Sequence, residues 1–181
     1  MKKAIILTLL IIPLLSFGQL TKSLVLMEAE NEAKYSEYEQ LFHEATEYIF
    51  SNPVNFKSNE FVSACKIVDF WKNKDTGINV PIFGSFYNKL EEKSNLRYFY
   101  MIAITNYILN EKINKNRILE CEKIDGQKYS EQEDVKEVQL EGAKIFLAYV
   151  DNEKNGLSLN KDAKAYLKAF KKGKLEDMFF D

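Results

Sequence analysis

The stretch Ser94 to Asn110, Ser-Asn-Leu-Arg-Tyr-Phe-Tyr-Met-Ile-Ala-Ile-Thr-Asn-Tyr-Ile-Leu-Asn, constrains the chain more than any other, because it is apolar on almost every side. A surface helix carries one apolar stripe, whereas here Leu96, Tyr100, Ala103 and Tyr107 fill one face and Met101, Ile104 and Ile108 fill another. The run exceeds the roughly 4–8 residues that strands favour. Arg97 and Asn106 interrupt it, leaving it short of the ~18–20 uninterrupted apolar residues of a membrane span. It predicts a core helix that other helices must cover.

The flanking sequence supplies those helices. From about Ser23 to Ser51, Met27, Tyr35, Tyr38, Leu41, Phe42, Ala45, Tyr48 and Ile49 recur at helical spacing, predicting one long amphipathic helix that stops at Ser51-Asn52-Pro53. Ser58 caps a second helix with Phe61, Ala64, Cys65, Val68 and Trp71 inward, and Asp75-Thr76-Gly77 is its exit turn. Residues Ile78 to Gly84 read as a loop, since Val80-Pro81 enforces an extended path. A short helix, about Ser85 to Glu92 with Phe86 and Leu90 inward, leads to Ser94 as cap of the central helix, which the polar run Glu111 to Asn116 closes. Arg117 to Tyr129 reads as a surface connection. Ser130-Glu131-Gln132-Glu133 is a capping box, predicting a helix through Val138, Ile145, Phe146 and Tyr149 as far as Asn155-Gly156. A last helix with Ala163, Leu167 and Phe170 inward precedes Gly173 and the apolar tail Leu175 to Phe180. The expected fold is all-α, a single-domain bundle of roughly six helices over residues 19–181.

Residues 1–18 read as an address. Met1-Lys2-Lys3 is a basic start, Ala4 to Leu15 an apolar run broken by Pro13, and Ser16-Phe17-Gly18 places small residues where a signal peptidase reads. Cleavage before Gln19 removes Lys2 and Lys3 and leaves a more acidic mature chain. No Cys follows the apolar run to take a lipid, so the mature chain is expected to lack a membrane anchor and to be periplasmic or secreted. The balance of 25 basic against 27 acidic residues offers no basic stripe over the whole chain to grip phosphates, which argues against nucleic acid. The 13 Phe and 10 Tyr fall mostly on the apolar stripes and are read as core.

Few residues suggest chemistry. Asp151, Glu153, Asn155 and Asp162 fall near ligand positions of a calcium loop, with Gly156 at its sharp turn. Ser158 stands where such loops carry an apolar residue, Asp162 replaces the longer glutamate, and no second loop is present. The reading adopted is a glycine C-cap followed by an N-cap at Ser158 or Asn160, with weak calcium binding through 151–162 as the alternative. His43-Glu44-Ala45-Thr46-Glu47 begins like a zinc-protease helix, but His43 is the only histidine and reads as solvated. Asp75-Thr76-Gly77 matches an aspartic-protease triplet in a single copy on a helical background. Cys65 lies on an apolar stripe and Cys121 between Glu120 and Glu122, suggesting one buried and one exposed thiol; an oxidising compartment permits a disulfide that geometry decides. No catalytic residue is assigned and no cofactor is expected.

Ser16-Phe17-Gly18-Gln19, the Ser51-Asn52-Pro53 stop, Phe61 through Trp71, the apolar central helix and the ending from Asn155-Gly156 to Gly173 together resemble a family of small exported, uncharacterised helical proteins of Bacteroidetes. The resemblance implies a helical fold and an envelope location, and brings no catalytic residues. Two function classes follow. The favoured one is a non-enzymatic envelope binding or scaffold protein with a groove for a peptide or protein partner. The other is an exported enzyme working through carboxylates such as Asp69, Glu91 or Glu92.

Overall fold

The computed structural model describes residues 18–29, 38–73, 76–91 and 94–180. Among them the regular structure is helical throughout, in α1 (Gln19–Ala29), α2 (Glu39–Ser51), α3 (Asn59–Lys72), α4 (Gly84–Lys89), α5 (Leu96–Lys115), α6 (Glu133–Asp151), α7 (Lys161–Lys171) and α8 (Leu175–Phe180). Short 3-10 turns occupy Tyr129–Glu131 and Glu153–Asn155. The all-α expectation holds. No described helix is long and apolar enough to cross a membrane. The leader at positions 1–17, Tyr35, Asp75 and Glu92 lie outside the described residues.

The central helix is α5, with Leu96, Tyr100, Ile102, Ala103 and Ile104 buried and Tyr98, Met101, Tyr107 and Ile113 at the margin. It packs on α6 along its length and on α2, which with α1 covers α3. Gly142 of α6 explains how close the α5–α6 seam is. A Cβ there would stand 2.5 Å from Ile104 Cγ1 and 2.9 Å from its Cα, so only glycine lets the backbones approach. Tyr100 donates to the Gln139 carbonyl across the seam at 3.0 Å, so its buried hydroxyl is satisfied. Phe86 of α4 joins the C-terminal helices to this centre, its ring lying 5.0 Å from Tyr100, 4.8 Å from Tyr166 and 5.3 Å from Phe179.

Several helix ends differ from the sequence reading, each for a local reason. The expected Ser23–Ser51 helix is described as two, α1 and α2, on either side of undescribed residues. The start of α1 is held by a distant carboxylate: Glu60 of α3 accepts from the Leu20 N–H at 2.7 Å and the Thr21 hydroxyl at 2.8 Å. An anion at a helix start satisfies orphan donors and opposes the helix dipole. Ser58 caps α3 as expected, accepting from the Phe61 N–H. Ser94 does not cap α5; its hydroxyl donates to the Glu91 carbonyl, and Asn95 takes the cap position in the left-handed region. The capping box at Ser130 is not made either, because Tyr129–Glu131 forms a 3-10 turn and Gln132 becomes the N-cap without a side-chain bond.

The 116–132 connection runs over the surface but is tied down by charge. Buried Glu111 accepts from Lys115 and from Arg117 Nε, while Arg117 also pairs with Glu137, which takes the Tyr107 hydroxyl. Further along, the Glu120 N–H donates to Asp134 at 2.7 Å and the Tyr129 hydroxyl to the Cys121 carbonyl at 2.9 Å. These bonds pull Leu119 and Cys121 onto the core, so Cys121 is 3% exposed rather than the open thiol its acidic neighbours suggested. Both cysteines are free and buried, and no disulfide joins them.

Candidate functional site, a groove beside Trp71

Segment 78–83 runs without helical structure up to the start of α4 and borders a cavity. Val80 is kept out of the helical region by Pro81, and Phe83 is extended at φ −154 and ψ −176. An extended chain alternates its side chains, and here the apolar Ile78, Val80 and Ile82 line a groove of about 410 Å³ with Asn79 also in its wall, whereas Pro81 is buried and Phe83 packs on Tyr129 at 5.3 Å. The opposite wall is Trp71 of α3 with Met101 and Thr105 of α5; Lys72, Asn73, Thr76 and Asn79 complete the lining. Apolar walls with a polar margin make a surface that takes up an apolar side chain and fixes what flanks it.

Backbone groups of an extended chain alternate as well. Gln139 Nε2 donates to the Pro81 and Phe83 carbonyls, both at 3.0 Å, which anchors one edge of the segment to α6. The edge of Val80 and Ile82 faces the other way. Among the described residues their N–H groups have no hydrogen-bond partner. Ile82, at 42% exposed, stands on the same segment as an uncovered apolar side chain.

A second, smaller hollow of about 330 Å³ holds more reactive groups, among them Cys65, Asp69, Lys72 and Tyr98. Asp69 pairs with Lys72 at 3.0 Å, and the Tyr98 hydroxyl donates to the Cys65 carbonyl at 3.3 Å. Burial pushes the Cys65 thiol up to about 11, so it stays protonated at neutral pH. Burial likewise raises Tyr98 far above the ordinary phenol range. A protonated thiol is a poor nucleophile, and the hollow brings together only one carboxylate.

Neither family models, curated proteins nor solved structures give a match to this chain.

The residues singled out in sequence are dispersed. Asp151 pairs with Lys171, Glu153 and Asp162 are exposed, and Asn155 is buried with Nδ2 donating to the Tyr149 carbonyl at 2.6 Å. Helix α6 stops at Asp151, short of the expected Asn155-Gly156, because the Asn152 side chain accepts from the Lys154 N–H and starts a 3-10 turn; Gly156, at φ +62, caps that turn, and Asn160 accepts from the Ala163 N–H at 2.9 Å as N-cap of α7. Among the described residues no three His, Cys, Asp or Glu side chains converge as a metal set. His43 corrects the reading of a solvated histidine: it is 7% exposed, with Nε2 3.8 Å from Glu47 Oε1. The cause is Asn106 of α5, which donates to Thr46 and Glu47 of α2 and draws that face against the core. Glu91 is exposed. The groove itself was missed, although Ile78, Val80 and Ile82 show the alternation of a one-sided extended segment.

Proposed function

We propose that the protein is a non-enzymatic binding protein of the cell envelope, periplasmic or secreted, whose groove takes an extended peptide by strand addition. The observation that supports this most is the Val80–Ile82 edge, with its N–H groups unpaired among the described residues beside the Trp71 groove. An added strand supplies main-chain carbonyls to those donors, and its alternate side chains enter the groove against Trp71 and Met101. The groove lining contains no Asp or Glu, and in the second hollow Asp69 is tied to Lys72, so the enzyme alternative draws less support. The export part rests on the leader sequence and on the resemblance to exported helical proteins. N-terminal sequencing of secreted protein is expected to start at Gln19; a chain still starting at Met1 refutes it.

Trp71 is the only tryptophan, so its emission reports on the groove. A peptide of alternating valine and threonine is expected to shift that emission and to move the Val80 and Ile82 amide resonances. Ile82→Lys should remove both responses. N-methylation of alternate peptide residues, on the edge that pairs, should abolish binding. A peptide that binds equally well with those amides blocked would sink strand addition.

A further inference from the structure

The C-terminal helices carry a surface of opposite character to the groove. Six lysines, Lys161, Lys164, Lys168, Lys171, Lys172 and Lys174, fall within one short run that contains a single acid, Asp162, in a chain whose net charge is -2. On α7 the spacing puts Lys161 and Lys168 along one face, with Lys164 beside them and the C-cap residue Lys172 following, opposite the buried Ala163 and Tyr166. The helix dipole favours cations in the last turn and accounts for Lys168 and Lys171, but it opposes Lys161 and Lys164 at the start. Lys164, Lys168 and Lys172 also repel one another at four-residue spacing. Lys171 is engaged by Asp151, whereas Lys164, Lys168, Lys172 and Lys174 have no ion-pair partner among the described residues. Helix stability does not explain the stripe.

Beside it lies a cleft of about 430 Å³ between α7 and α8, with Lys168, Lys172 and Lys174 at its rim, Asp177 facing them, and Ala165, Ala169 and Met178 forming an apolar floor. We infer that this cleft docks an acidic polypeptide segment that lays one aliphatic side chain on the floor while its carboxylates meet the lysines. Charge complementarity sets the sign of the partner. The shape sets its class: lysines spread over roughly 16 Å of helix match a chain of carboxylates. Ala165, Ala169 and Met178 between them offer apolar contact to one aliphatic side chain, which a row of phosphates alone leaves unused.

The test uses the full chain and a fluorescein-labelled peptide of six glutamates around a central leucine, followed by anisotropy. Binding should weaken with salt and drop about tenfold in Lys168→Gln/Lys172→Gln, and Lys168→Arg/Lys172→Arg should restore it. Replacing the peptide leucine by serine should cost about tenfold, the scale of a buried aliphatic side chain. These lysines are exposed, so circular dichroism of the variants should match the parent. Unchanged peptide binding in the glutamine variant overturns the proposal. So does binding of phosphatidylglycerol vesicles or of a thymidine oligonucleotide that the peptide cannot displace, which would assign the stripe to lipid or nucleic acid.

Discussion

The α5–α6 seam and the 116–132 connection lie side by side, yet opposite forces hold them. In the seam Ile104 presses on Gly142 with no room for another atom, and stability comes from shape and excluded water. In the connection Arg117 shares hydrogen bonds and charge with Glu137 and Tyr107 at the edge of solvent and reaches in to the buried Glu111. The seam should therefore respond to volume and ignore salt, whereas the connection should tolerate volume and respond to salt and acid.

The largest effect is expected from Ile104→Asp, which places an unpaired charge where Ile104 is fully buried and should cost more than about 4 kcal/mol in denaturant unfolding. Wild-type melting of that variant would remove α5 from the centre of the fold. Next, Gly142→Ala should destabilise by about 1–3 kcal/mol despite alanine's better helix propensity, because the obstructing atoms include Ile104 backbone. This loss should be the same at low and high salt. Glu111→Gln should cost less, about 1–2 kcal/mol, and the difference from wild type should shrink in high salt as Lys115 and Arg117 are screened.

Acid gives a smaller and directional signal. Burial works against ionised Glu137, yet the hydrogen bonds from Arg117 and Tyr107 hold its carboxyl below the usual carboxylate range. Its stabilisation is present above the unfolded carboxylate value, about 4.3, and is lost as pH falls through the lower folded value. Arg117→Gln should flatten that acid limb, and an unaltered limb would show that the pairing does not couple to folding. The smallest effect concerns the other connection, residues 152–160. With Asp151 paired to Lys171, calcium should leave the melting temperature where a chelator leaves it. Tight binding at ~100 times the dissociation constant would add ~2.7 kcal/mol. A rise abolished by Asp151→Ala would overturn the C-cap and N-cap reading.

What the sequence revealed follows the same division. Helix α5 was legible because a run apolar on all faces has few alternatives, and Ser58, Pro53 and Gly156 punctuate the chain through rules that act within a few residues. Gly142 was silent, since a mid-helix glycine explains itself only through Ile104, far away in the chain. Ser130 misled because the Tyr129 ring and hydroxyl, held by Phe83 and Cys121, turn the backbone before the box can close. His43 misled in the same way, its face drawn inward by Asn106. The groove needed α3, segment 78–83 and α5 together, and only the alternation of Ile78, Val80 and Ile82 hinted at one wall.

Phe86 has a consequence for how the molecule opens. Helices α4 and α8 have six residues each, too few to persist alone in water, and both meet at this ring along with Tyr166 of α7 and Phe146 of α6. No one of them can detach without emptying the space the others fill. Amide hydrogens of α4, α7 and α8 should therefore exchange with solvent at a common free energy, as one cooperative unit below that of α5 and α6. The lysine cleft belongs to that unit, so whatever settles into it slows exchange in α4 as well, at a distance from any contact it makes.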